Sequence, residues 1–240
     1  MIIIPARIAS SRFPNKVLAD IGGLPMVIRT AKAVEEIDKV TIATDSQEVL
    51  DVAQEHKIQA VLTSDKHTSG TDRINEAAQK LNLDENEIII NVQGDEPFIE
   101  PEVVKAVYDL TVKNRDRDEI MMNSCYKHIN NAEAEDSNIV KVITTKDEIA
   151  LYFSRAKVPY PREANLNNYK GHIGIYGFTK KSLESFCQLP SAPLEELEKL
   201  EQLRALYHGY QVAMIKVETK SFGIDTQEDL NKALKSLMKG

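Results

Sequence analysis

Cysteine is scarce in this chain: Cys125 and Cys187 are the only two in 240 residues. They lie far apart, form no CxxC pair and have no Cys/His zinc spacing, so neither a disulfide framework nor a zinc site is expected. The pattern is that of a reduced chain with two core thiols. Long apolar runs are absent too. Met1-Ile2-Ile3-Ile4 starts like the core of a signal peptide but stops at Pro5 and Arg7. That is far short of the roughly 7–15 apolar residues such a core needs, and no run approaches a membrane span. There is no repeat, low-complexity tract or linker rich in Pro, Gly or Ser. An excess of positive charge is also missing: 30 basic against 37 acidic side chains leave a net charge of −7, which argues against a general nucleic-acid coat. The expectation is a soluble, cytoplasmic protein with no membrane insertion and no nucleic-acid partner.

What is present is ordinary globular material, 42% hydrophobic and 28% charged, which excludes wholesale disorder. The length fits one large domain or two small ones. Charge is unevenly spread. Residues 1–19 hold Arg7, Arg12 and Lys16 and no acid, so a basic arm precedes an acidic body. That combination suits a small anionic ligand better than a polyanion.

Short apolar runs alternate with helical patterns. Ile2-Ile3-Ile4, Lys39 to Thr44, Ile58 to Leu62 and Ile88 to Val92 read as strands, the first and last apolar on consecutive positions, as strands buried on both faces are. Helices are expected from Pro25 to about Glu36, from the Asp45-Ser46 cap to about His56, over Thr71–Leu81, and from Pro101 to about Lys113. This β-α alternation predicts a parallel sheet with helices on both faces. After about residue 118 the rhythm changes. Ile120 to Tyr126, Val140 to Thr144 and Ile149 to Phe153 read as strands with little helix between, like an antiparallel insertion. Residues 154–172 read as irregular and Ile173 to Thr179 as a strand. Leu194 to Tyr207 reads as one helix, Gln211 to Val217 as a last strand and Thr226 to Met238 as a last helix. The whole is one α/β domain, 1–240, with a subdomain embedded in it.

Five segments carry chemical groups. Pro5-Ala6-Arg7 through Arg12 to Lys16 follows a buried strand, and ligands of open α/β sheets bind beyond the strands' carboxyl ends. Three cations there suit a triphosphate, although a solvated basic loop would look the same, and neither a Walker A loop nor GxGxxG is present. Asn91-Val-Gln93-Gly94-Asp95 also follows a buried strand, where a carboxylate can hold Mg2+ with phosphate oxygens or simply make a turn. In Gly223-Ile-Asp225-Thr226, Thr226 and Asp229 have capping-box spacing, which would free Asp225 to share a metal with Asp95. Alternatively Asp225 is itself the cap. Ser69-Gly70-Thr-Asp-Arg73 opens a helix and suits either a nucleotide or a plain N-cap. Ser154-Arg155, His172 to Tyr176 and Glu201-Gln202 are polar groups amid apolar ones. Arg155 suits a substrate carboxylate or an internal ion pair with Glu201, His172 suits sugar hydroxyls, and Glu201 and Gln202 also fit a solvated helix face.

Taken in order, IPAR-x3-SR-x-P-x-K, ATD, SGTDR, NVQGDEP, ALYFSRA, HIGIYGF, LEQLR and GIDT-x-ED resemble the CMP-Kdo synthetase family, the 3-deoxy-manno-octulosonate cytidylyltransferases, from about residue 2 to 235. The resemblance implies a Rossmann-like nucleotidyltransferase core of mostly parallel sheet flanked by helices. It also implies a small antiparallel subdomain near 118–210 for sugar binding and dimerisation, and a homodimer. The implied reaction transfers CMP from CTP to the C2 hydroxyl of Kdo, with Mg2+, for lipopolysaccharide biosynthesis. By motif, Arg7, Arg12 and Lys16 would contact the CTP phosphates, and Pro5, Ala6, Ser69, Gly70 and Arg73 would lie near the cytidine. Asp95 and Asp225 would hold Mg2+, leaving Arg7, Lys16, Asp95 and Asp225 as the catalytic set. Gln93, Arg155, His172, Tyr176, Glu201 and Gln202 would surround Kdo. Asn15 and Gln227 stand where the family often has glycine and proline. The same reaction on 8-amino-Kdo, CMP-sialic acid synthesis, an inactive nucleotide sensor and a structural partner protein are the rival readings. The last two fit poorly, because all three cations and both acids are present.

Overall fold

A computed structural model gives the fold and describes residues 1–8, 13, 15–163, 168–221, 223–224 and 226–237. Ile2, Ile3 and Ile4 begin the first strand, β1 (Ile2–Ala6), and all three are fully buried. Successive side chains of a strand point to opposite faces, and here each face has its own core. Ile3 packs with Ile74, Ala77 and Ala78 on one side. Ile2 and Ile4 pack with Val27, Ile28, Ala31, Val104 and Val107 on the other. Burying each of the three isoleucines is worth about 1.5–3 kcal/mol.

The first half is the alternation expected: β1, α1 (Met26–Val34), β2 (Val40–Thr44), α2 (Gln47–Glu55), β3 (Gln59–Leu62), α3 (Gly70–Lys80), β4 (Ile88–Asn91) and α4 (Pro101–Asn114). Ser46 and Ser69 cap α2 and α3 with their side-chain oxygens, and Pro101 opens α4 at its first turn. β1 pairs in parallel with β2 and β4, and β2 with β3.

The second half contains β5 (Ile120–Ile129), α5 (Asn131–Glu135), β6 (Lys141–Thr144), β7 (Ala150–Ser154), β8 (Tyr169–Thr179), α6 (Lys180–Gln188), α7 (Pro193–Glu198), α8 (Gln202–Tyr207), β9 (Gln211–Lys216) and α9 (Gln227–Leu237). The main sheet runs β3-β2-β1-β4-β8-β5-β9. β8 alone on that path is antiparallel to its neighbours β4 and β5, whereas β5 and β9 are parallel. β6 and β7 form an antiparallel pair whose β6 joins the early part of β8. The fold is therefore α/β, with a mostly parallel sheet flanked by helices.

Three expectations need correction. The helix expected over Leu194–Tyr207 is broken into α7 and α8 by Lys199, which stands in the left-handed conformation at φ 54°. Leu194, Leu197, Leu200, Leu203 and Leu206 repeat every three residues, while a helical turn takes 3.6. Along one straight helix the leucines would drift off the core face. The break lets Leu200 and Leu203 turn inward and leaves Leu197 80% exposed. Second, α5 and α6 lie in stretches read only as connections between elements. Both carry capping boxes, Asn130 with Glu133 and Thr179 with Ser182, and Leu183, Phe186 and Cys187 reach the core at helical spacing. Third, β8 begins at Tyr169, inside the stretch read as irregular.

Candidate active site

β1 and β4 are parallel neighbours, with Ile3 opposite Asn91, so the loops that leave them emerge side by side. Pro5 is the hinge of the contact. A Cβ on Gly94 would lie 3.0 Å from the Pro5 carbonyl oxygen, and one on Gly70 would lie 3.1 Å from Pro5 Cγ. The two glycines let the β4 loop and the start of α3 close on the end of β1. Asn15 adopts φ 54° and opens a short 3-10 turn over Lys16–Leu18, as the tolerance of Asn for the left-handed region allows. The turn carries Lys16 back over the β4 loop, where its ammonium donates to Asp95 Oδ2 at 2.6 Å. The backbone N–H of Ile224 donates to the Asp95 carbonyl at 2.9 Å, so Ile224 docks on the same loop. Thr226 and Asp229 form the capping box, Thr226 N–H to Asp229 Oδ2 at 3.0 Å and Asp229 N–H to Thr226 Oγ1 at 3.2 Å. Arg12 and Asp225 lie outside the described residues. Arg7 is exposed just past β1.

Ser69 accepts from Asp72 N–H at 3.0 Å, which is a plain N-cap. Arg73, buried to 2% exposure, points into the protein. Its guanidinium donates to Asp45 Oδ2 at 2.8 Å, Thr63 Oγ1 at 2.7 Å and the Ser64 carbonyl at 3.2 Å. Asp45 in turn accepts from Ile8 N–H at 3.1 Å. Arg73 thus ties the ends of β2 and β3 to the arm that follows β1, and the ATD motif supplies the carboxylate.

The second wall is one face of β8. His172 and Tyr176 are four residues apart on a strand and so share a face. Their rings lie 5.5 Å apart, and Phe153 of β7 meets His172 edge-on at 4.9 Å. Burial pushes the His172 imidazole down to about 3, so it is neutral at physiological pH. Burial also pushes the Tyr176 hydroxyl well above its usual range. That hydroxyl donates to Gln202 Oε1 at 3.1 Å, and Gln202 Nε2 is a buried donor with no partner among the described residues. Glu201 accepts from Thr71 Oγ1 at 2.6 Å, and burial raises its carboxyl. Neither residue lies on a solvated face. Asn91 is the cross-strand partner of Tyr176 and accepts from Gln93 Nε2 at 3.2 Å, which joins this wall to the β4 loop. The Arg155–Glu201 pair does not form. Glu198 instead accepts from Arg155 N–H at 2.9 Å through Oε2 and from Arg155 Nε at 2.7 Å through its carbonyl.

The structure therefore brings Pro5, Ala6, Lys16, Gly70, Gln93 and Asp95 to one junction, and Tyr176, Gln202 and Glu201 to its side. Sequence reasoning missed Asp45, Thr71 and Glu198, since each acts through a partner distant in the chain. Both thiols are free, and burial pushes each upward, so neither is a nucleophile at neutral pH. No group of three His, Cys, Asp or Glu suited to a metal occurs among the described residues, and no described helix is long and apolar enough to cross a membrane.

Comparison with known proteins shows the family. The family model described as Cytidylyltransferase matches residues 1–230. The chain is 57% identical over 232 residues to the 3-deoxy-manno-octulosonate cytidylyltransferase of Nitratiruptor sp., covering 97% of each chain. It is 52% identical over 239 residues to the protein of that name from Wolinella succinogenes, covering 98% of each. A solved CMP:2-keto-3-deoxy-manno-octonic acid synthetase complexed with CTP superimposes with a TM-score of 0.89 at 37% identity, covering 99% of this chain and 98% of that one. A cytidylyltransferase from Leptospira borgpetersenii shares the fold at a TM-score of 0.61 and 16% identity, covering 100% of this chain and 86% of that one. With these loops at the carboxyl ends of its parallel strands, the chain belongs to the cytidylyltransferase family and, within it, to the 3-deoxy-manno-octulosonate cytidylyltransferases.

Proposed function

We propose that this chain transfers CMP from CTP to the C2 hydroxyl of Kdo and releases pyrophosphate, making the activated sugar used in lipopolysaccharide biosynthesis. The observation that carries the reading is the junction itself. A lysine–aspartate pair stands where the β1 and β4 loops meet, beside a wall of buried hydrogen-bonding groups on β8 and α8.

The chemistry is a problem of charge and position. A triphosphate and a carboxylated sugar repel each other, and Arg7, Arg12 and Lys16 offset that repulsion. With the α-phosphorus held in line with the C2 hydroxyl, two anions become neighbours without a search, which is worth roughly 7–11 kcal/mol of barrier in well-oriented pairs. Pro5, Ala6, Ser69 and Gly70 give a close-packed backbone surface for the cytidine, with Arg73 bracing it from behind. Gln93, Arg155, His172, Tyr176, Glu201 and Gln202 surround the sugar.

The donor set fits Mg2+. Asp95 offers a hard oxygen already balanced by an ammonium at 2.6 Å, and Mg2+ is commonly held by one or two carboxylates plus substrate phosphates. Asp95 and Asp225 would hold the ion, which supplies neutralisation of phosphate charge.

We also propose that residues 118–210 serve sugar binding and pairing of two copies. Leu151 at 59%, Leu197 at 80% and Tyr207 at 54% exposure lie on β7, α7 and α8, apolar side chains available to a second subunit in the cytoplasm.

Pyrophosphate release with CTP and Mg2+ tests the reading, with Kdo, 8-amino-Kdo and N-acetylneuraminate run in parallel. Release with Kdo is expected. A strong preference for 8-amino-Kdo would move the pathway while keeping the chemistry, and no release from folded protein with any sugar would overturn it.

A further inference from the structure

Ser124 sits on β5 where the register against β8 slips: Asn123 pairs with Gly177, but Cys125 pairs with Ile173. The slip folds a stretch of β8 around the Ser124 side chain, which is fully buried. Its Oγ lies 2.8 Å from the Ile175 carbonyl oxygen, 3.3 Å from that of Ile173 and 2.8 Å from His172 Nε2. A hydroxyl has one proton to give, and a carbonyl oxygen can only accept. Were that proton turned to His172, two carbonyl oxygens would face nothing but lone pairs in a buried site, an expensive arrangement. The proton therefore goes to Ile175, and the hydrogen shared between Ser124 and His172 belongs to the imidazole.

The geometry points to Ser124 as a positioning residue that holds His172 as the neutral Nε2–H tautomer and leaves Nδ1 as an acceptor for a sugar hydroxyl. The inference rests on the reading that His172 faces the sugar. Nδ1 makes no hydrogen bond among the described residues, and the flanking Phe153 and Tyr176 rings hold the imidazole plane. Burial keeps the ring neutral, so Nδ1 retains its lone pair at physiological pH. The same wall carries Gln202 Nε2, a donor with no partner among the described residues. One acceptor and one spare donor complement neutral hydroxyls, each of which donates and accepts.

Long-range 1H–15N correlation spectra of the full chain, labelled on histidine, read the tautomer directly, with His172→Gln identifying the signals. The Nε2–H pattern is expected at neutral pH, and an Nδ1–H or imidazolium pattern would overturn the inference. This spectrum decides the matter even where a variant fails to fold. Ser124→Ala is expected to mix the tautomers and raise KM for Kdo about tenfold, the size of one net hydrogen bond, with KM for CTP unchanged. Ser124→Thr keeps the hydroxyl and should keep both properties. A single tautomer and an unchanged sugar KM in Ser124→Ala would sink the idea. If His172→Gln itself leaves the sugar KM unaltered, the sugar contact fails and the positioning role with it, while the tautomer assignment is judged by the spectrum alone.

Discussion

Lys16 Nζ and Asp95 Oδ2 meet at 2.6 Å across 79 residues of sequence. The phosphate-binding lysine and the metal-binding aspartate of the proposed site hold each other in place before any substrate arrives. In the proposed site, Lys16 would turn its ammonium to the substrate phosphates and Asp95 would be one of the residues that hold the divalent cation. The pair keeps both side chains oriented within one loop junction.

Asp95→Asn and Lys16→Met are expected to lower pyrophosphate release at least about a hundredfold, the usual loss for one group aimed at developing charge. The two side chains are 28% and 13% exposed, so the pair adds at most about 1 kcal/mol to stability, and thermal unfolding should move little. Full activity in Asp95→Asn would remove the metal assignment. A collapse in stability would instead make the pair structural.

Arg73 behaves oppositely. Its side chain is 3% exposed and that of its partner Asp45 10%. Arg73→Met leaves a buried carboxylate that, among the described residues, keeps the Ile8 N–H as its hydrogen-bond partner, which should cost about 3–5 kcal/mol. Adding Asp45→Asn to that variant removes the stranded charge and should return part of the loss. Denaturant titration of the two single variants and the double variant measures this, and a wild-type midpoint in Arg73→Met would contradict it.

Acid stability should depend on Glu76. Burial pushes its carboxyl upward, but hydrogen bonds from Lys80, the Ser64 N–H and His67 outweigh it and lower the group from 4.5 to about 2. A depressed carboxylate stabilises the fold above its unfolded pKa, and that contribution is lost as pH falls through the folded one. The loss should therefore run from about pH 4.5 down to about pH 2. Glu76→Gln should flatten the stability profile in that window. An unaltered acid slope in the variant would exclude Glu76 as its source.

Much of the fold was legible because its signals are local. The consecutive isoleucines of β1 and β4 announce strands with both faces covered, and the Ser46, Ser69 and Pro101 starts mark three helices. The capping box of Thr226 and Asp229 forms as its spacing suggested. α6 escaped notice although Thr179 and the Leu183–Phe186–Cys187 spacing carried its signature. The break at Lys199 was written in the three-residue leucine repeat, which a 3.6-residue turn cannot keep on one face.

By itself, then, the sequence determined the succession of elements, the strand ends from which the loops spring and the family to which those loops belong. Only the tertiary structure decided the partners: Arg73 with Asp45 across 28 residues, Arg155 with Glu198 across 43, and Ser124 with His172 across 48. The antiparallel placement of β8 between β4 and β5, and the register slip opposite Ser124, were likewise settled in three dimensions. The physical reason is that helix and strand patterns arise from neighbours a few residues apart. A buried charge or hydroxyl takes whichever partner the packed sheet brings within about 3 Å, and no local spacing encodes that choice.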